Sequence, residues 1–421
     1  MKYPFFLAGP AYTVYAGESL VAGYGRLGRG WVCLLWALEV FGGITSAAAS
    51  CAFSAAIVRF IAPSIPMPAA CALVMAAAVL VILCRRYRLL SAVSKTLVAL
   101  LAFITVCAVL VYAGEALSAN GAGAVLPALS PWTFASLGFI VMMTGWMPCP
   151  LDLSAIQSVW VTCQQRNEGV TARGLFFDFN LSYAATALLA VVFLALGVLM
   201  MHDSGQTPAS NGAAFTAQLI GMYEAAVGGW SRPFMALMAF ACIWDTTITV
   251  LDGYARVIGV CQQHIRGLPE DAPSSAFTVW VLVQAVLGLV LILFFKSEML
   301  VLLQFAMISA FCTTPILAWL NYRLMTGPLV PAAKRYGPLM HLWSLAGLVF
   351  LFGFLTVFLI WLFRVQSRTA PPDAALNYLP ISGPLSVLYS SGTGIAGISH
   401  AGRLPRRISA SKAFKSPIRR F

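Results

Sequence analysis

The chain carries too little charge to coat a water-soluble globule of its length. Asp, Glu, Lys and Arg make up 10% of its 421 residues and hydrophobic types 60%, whereas a soluble domain has about 25% charged residues. Acid is scarcest, with Asp+Glu 14 against Lys+Arg 26. The basic excess does not indicate nucleic acid, because it is scattered between apolar runs or gathered beyond residue 366. The cysteines include no C-x-x-C pair. Most fall inside apolar runs (Cys33, Cys51, Cys71, Cys84, Cys107, Cys242, Cys312), where cysteine behaves as a small buried hydrophobe. H-E-x-x-H and G-x-S-x-G are both missing, and His202, His264, His341 and His400 sit at run ends or in the tail. No catalytic site and no cofactor are expected.

What is present is apolar length. Nine long runs cover about 31–62, 68–84, 91–114, 131–160, 176–201, 232–258, 276–295, 298–321 and 338–364, and a shorter one opens the chain at 3–16. A membrane crossing takes about 20 such residues, and the lack of a two-residue alternation excludes a transmembrane barrel. The fold class predicted is therefore an all-α polytopic membrane protein, with a helix bundle over 1–366. The remaining 367–421, rich in Pro, Gly, Ser and basic residues, is predicted to be a disordered basic tail. Its Gly392, Gly394 and Gly397 match G-x-G-x-x-G, but no strand precedes them and no helix follows, so the match is set aside. Asn180 and Ser182 form a glycosylation sequon at a cytoplasmic helix start, where it is idle.

Loop charges set the orientation. One set of connections holds Arg26, Arg29, Arg85, Arg86, Arg88, Lys95, Arg166, Arg173, Arg256, Arg266, Arg323, Lys334 and Arg335, against Arg59, Arg232 and Lys296 in the other. By the positive-inside rule the first set faces the cytoplasm, in a cell (inner) membrane.

The fourth long run is the unusual one. Pro148 and Pro150 each remove a backbone donor and clash with the preceding turn, so the helix should unwind there. An unwound stretch at membrane depth must be buried in protein or line a cavity, where its carbonyls can ligate a cation. Thr144, Met147 and Cys149 flank the break and Asp152 begins its second half. A proline kink that only shapes the bundle is the plainer alternative. Asp245 lies well inside the sixth run beside Thr246, Thr247 and Thr249, and is weighed as an ion or proton relay against threonine-mediated helix contact. Gln304 in the eighth run reads by itself as interhelical glue, and Glu39 as a side chain snorkelling to the interface.

Three stretches carry a family resemblance: KYPFFLAGPAYTVYAGESLVAGYGRLGR, GWMPCPLDLSAIQS and DTTITVLDGYARV. Together they resemble the divergent bacterial branch of the Nramp divalent metal transporters, in order over about residues 1–364. The resemblance implies a LeuT-type fold of two inverted repeats, and a divalent metal held between unwound helices. It implies Met147 and the Thr144 backbone as metal ligands, with Gln304 closing over the ion. Cys149, Asp152 and Asp245 then stand as relay or supporting residues. Cys149 replaces the family's histidine, Ser46 and Ala49 stand where proton-coupled members have acids, and 276–295 lacks their arginine pair. Ordinary proton coupling is accordingly not expected. The family's first helix, with its Asp-Pro-Gly-Asn, has no counterpart, and Met1 falls within the likeness of the second, so in-frame codons upstream are expected. The expected substrate is a manganese- or iron-like ion, since a thioether suits softer cations. The alternatives are an organic solute carrier of the same fold and a non-transporting membrane protein.

Overall fold

The computed structural model of the protein describes residues 1–84, 87–119, 137–168, 170–198, 212–270, 275–295 and 299–368. The predicted tail lies outside these except for its first two residues. Among the described residues the regular structure is entirely helical. The α-helices are α1 (Tyr3–Ala16), α2 (Leu20–Leu27), α3 (Arg29–Ile61), α4 (Met67–Leu83), α5 (Tyr87–Ala119), α6 (Leu137–Trp146), α7 (Leu153–Glu168), α8 (Ala172–Gly197), α9 (Gly212–Val227), α10 (Arg232–Ile265), α11 (Ala276–Phe294), α12 (Met299–Thr326) and α13 (Pro338–Arg368).

Six of these elements are long and apolar enough to cross a membrane, within 29–61, 172–197, 229–265, 276–294, 299–326 and 338–362. Shorter apolar helices cover 67–83, 96–111 and 137–146. Large apolar side chains stand exposed along the outer faces, among them Leu110, Leu188, Val191, Val286, Val290 and Val349. In water this would be untenable, but in lipid it is the expected surface. The protein is a multi-pass helical membrane protein.

α3 and α10 run antiparallel through the centre. Arg29 at the start of α3 donates to the Ile265 carbonyl at the end of α10. At the other end, the Arg232 guanidinium lies 5.1 Å from the Phe60 ring centroid. Close packing follows from composition, since Ala47, Ala48, Ala49, Cys51, Ala52, Ala55 and Ala56 of α3 are all fully buried. Small residues let membrane helices approach where no hydrophobic force drives them together. Their hydroxyl neighbours are satisfied locally, Ser50 donating to the Ser46 carbonyl at 2.9 Å and Ser54 to the Ser50 carbonyl at 3.0 Å.

One element differs from the expectation, and the fourth run is broken as expected. The short helix α9 falls between the fifth and sixth predicted runs. Its Gly212 sits against Ala56 and Met299, and its Phe215 ring lies 5.9 Å from that of Phe53. The predicted run 131–160 is two helices, α6 and α7, as its prolines require.

Candidate functional site

α6 stops at Trp146 and α7 starts at Leu153. The last helical bond of the first half runs from the Met147 amide to the Met143 carbonyl at 2.8 Å, and the next amides are lost to Pro148 and Pro150. Bonding resumes with the Leu153 amide on Pro150 (3.3 Å), the Ser154 amide on Leu151 (3.0 Å) and the Ala155 amide on Asp152 (2.9 Å). In an unbroken helix the Gly145 carbonyl would accept from the Cys149 amide. Here it accepts instead from the Lys2 ammonium at 2.9 Å, and the Cys149 carbonyl accepts from the same ammonium at 3.4 Å. Lys2 is buried, at 4% exposure. The break therefore presents backbone oxygens to a cation inside the bundle.

Of the predicted ligands, Thr144 lies on α6, Met147 just beyond its end and Gln304 on α12. α12 closes on α6 at Gly145, where a Cβ would run into the Met307 carbonyl oxygen, so only glycine permits the approach. Gln304 is half-buried on α12, one turn before Met307. Met147 and Thr144 are half-buried too, and the Thr144 hydroxyl is spent on the Ile140 carbonyl at 2.7 Å, leaving it a backbone role. Among the described residues no three His, Cys, Asp or Glu side chains cluster as a metal-binding set. A metal at the break would rest on thioether, carbonyl and amide donors. Cys149, with Pro148, Gln157, Trp160 and Asp178, also lines an adjoining cavity of about 330 Å³.

Asp152 sits immediately before α7, as its place after the prolines requires, and is buried. Its Oδ2 accepts from the Tyr254 hydroxyl of α10 at 2.6 Å, while Oδ1 has no hydrogen-bond partner among the described residues. Asp245 lies on α10 nine residues before Tyr254, roughly 13 Å along the helix axis. The two aspartates are thus separate features. Of Thr246 and Thr247 beside Asp245, one reaches a neighbouring helix. Thr246 donates to Cys242, and Thr247 bonds Ile243 and reaches Ser54 of α3 at 3.5 Å.

Glu39 departs from its sequence reading. It lies ten residues into α3, roughly 15 Å from the helix start, and it is fully buried rather than snorkelling. Neither carboxylate oxygen has a hydrogen-bond partner among the described residues. The pattern that would have flagged it is Gly42-Gly43 one turn on, which opens that face of α3 to neighbours. Lys2, Tyr254 and Gln284 were also missed, and so was Asn321, whose amide donates to the Phe5 carbonyl and Ser154 Oγ, both at 2.9 Å, and accepts from the Tyr24 hydroxyl.

A curated protein of Pasteurella multocida (strain Pm70), "Uncharacterized protein PM0681", is 40% identical over 363 residues, which is 85% of this chain and 82% of that protein. No family model matches the chain.

Proposed function

This chain belongs to one family with the Pasteurella multocida protein, and from its own residues we propose that it moves a divalent metal cation, manganese- or iron-like, across the cell (inner) membrane. One observation carries the proposal. In a multi-pass bundle, the proline break between α6 and α7 leaves the carbonyls of Gly145 and Cys149 to accept from the buried Lys2 ammonium, with Met147 between them in sequence. Carbonyl dipoles at an unwound helix are how membrane carriers hold ions at depth. A thioether beside them favours manganese, iron or cadmium over calcium and magnesium. The resemblance to the Nramp branch, with its LeuT-type architecture, assigns the Thr144 backbone and Met147 as ligands and Gln304 as the residue that closes over the ion. Cys149, Asp152 and Asp245 serve as relay or supporting groups. A metal at these carbonyls displaces the Lys2 ammonium, so the two alternate.

Manganese uptake into proteoliposomes, with and without Met147→Ala, tests the reading. Loss of manganese and cadmium uptake well beyond any loss for calcium or magnesium supports it. An equal loss for all four assigns Met147 to packing, and no uptake of any metal by the intact protein refutes the function. A second reading, an organic solute carrier, is favoured by the cavity of about 330 Å³ beside Cys149, within the size range of small-molecule sites. Uptake of labelled amino acids in the same vesicles, without metal uptake, would select it.

A further inference from the structure

Glu39, Asp152, Tyr254 and Gln284 converge on one face of α3 from three other parts of the chain. Gly42 and Gly43 admit them. A Cβ on Gly42 would lie 3.1 Å from Asp152 Oδ2 and 3.6 Å from the Tyr254 hydroxyl, and one on Gly43 would lie 2.8 Å from Gln284 Oε1. Glu39 is one turn back on that face, the spacing at which helix side chains are neighbours, and Asp152 is the charge that acts on it. Glu39 and Gln284 are both fully buried. Both oxygens of Glu39, Oδ1 of Asp152 and both polar atoms of Gln284 lack hydrogen-bond partners among the described residues. The centre of the bundle therefore has four unpartnered acceptor oxygens, two of Glu39, one of Asp152 and one of Gln284, against the single unpartnered donor nitrogen of Gln284.

Charge counting identifies what is missing. Asp152 accepts from Tyr254 and is acted on by the Lys2 ammonium, so one positive charge already offsets one of the two carboxylates. The other groups facing Glu39 are Tyr24 on α2 and Tyr254 and Cys261 on α10, none of them basic. α11 contributes the amide Gln284 and has no titratable side chain, and the reactive side chain of α4 is Cys71, whose carbonyl accepts from Cys51. On α12 the ionisable groups are Cys312, Tyr322 and Arg323, the last lying 5.7 Å from the Trp319 ring. A buried carboxylate with no counter-charge takes up a proton instead.

We propose that Glu39 holds an exchangeable proton at neutral pH, making Glu39 and Asp152 a proton-binding site at the centre of the bundle. The proton converts one acceptor into a donor, which Asp152 Oδ1 and Gln284 Oε1 both lack. The site stands whatever solute the α6–α7 break carries.

Infrared spectroscopy of the purified protein in lipid at about pH 7 reads the proton directly. Wild type should show a carboxylic-acid carbonyl band that shifts in D₂O and fades as pH rises. The band should vanish in Glu39→Gln. It should persist to higher pH in Lys2→Gln, because losing the ammonium leaves two uncompensated carboxylates. Should Glu39→Gln not fold, Glu39→Asp makes the assignment by moving the band. A wild-type spectrum without the band overturns the proposal, as does a band untouched by every change at Glu39.

Discussion

Replacing Asn321 with leucine should loosen the junction of four helices while nearly keeping side-chain volume. The amide ties α12 to the Phe5 carbonyl of α1, the Tyr24 hydroxyl of α2 and the Ser154 hydroxyl of α7, and every residue in the group is buried. A polar contact between membrane helices contributes about 0.6 kcal/mol on average, so three sum to roughly 2 kcal/mol. The stranded partners add to that, each costing about 1–3 kcal/mol if left without a bond. Two of them have alternatives, since the Phe5 carbonyl lies within α1 and the Ser154 hydroxyl can turn to its own helix. Tyr24 has none so near, which puts the total at about 3 kcal/mol. Equilibrium unfolding in mixed micelles would measure it, with a double-mutant cycle against Tyr24→Phe. A loss below about 1 kcal/mol, or strict additivity with Tyr24→Phe, would refute the hub.

Gly145→Ala should cost more than Asn321→Leu and lower folding yield, because its methyl group meets backbone at Met307 and no side chain can give way; normal thermal stability of that variant would rule out the close α6–α12 approach. Lys2→Gln should tighten manganese binding, measured by calorimetry, since it removes the cation that occupies the Gly145 and Cys149 carbonyls; unchanged or weaker binding would count against their alternation. Asp252→Asn should change stability by less than about 0.5 kcal/mol, because its 2.7 Å pair with Arg256 is partly exposed and spans one helical turn. A larger loss in thermal unfolding would assign that pair a structural role it does not show.

The features legible in the sequence are those that a single residue imposes on its own backbone. Pro148 and Pro150 forbid helix bonds wherever they fall, so the break, and Asp152 at the start of the second half, follow without knowledge of any neighbour. Six of the nine apolar runs coincide with helices of spanning length among the described residues for the same reason. Glu39 was misjudged because its depth was inferred from its place in an apolar run beginning at 31, while α3 begins at Arg29 and buries that whole face against α10 and α11. α9 escaped notice because it is short and mixes Thr216, Gln218 and Glu224 with its apolar residues. Asn321, Gln284 and Lys2 are single polar residues whose partners lie far away in the chain, Lys2 reaching across 143 residues to Gly145. No local pattern encodes such a pairing. The sequence does contain its precondition, because a polar group left in an apolar run must find a partner on another helix or take a proton. Asn321 meets that demand with three bonds, and Lys2 meets it at the broken helix. Glu39, which has neither, is where the proton belongs.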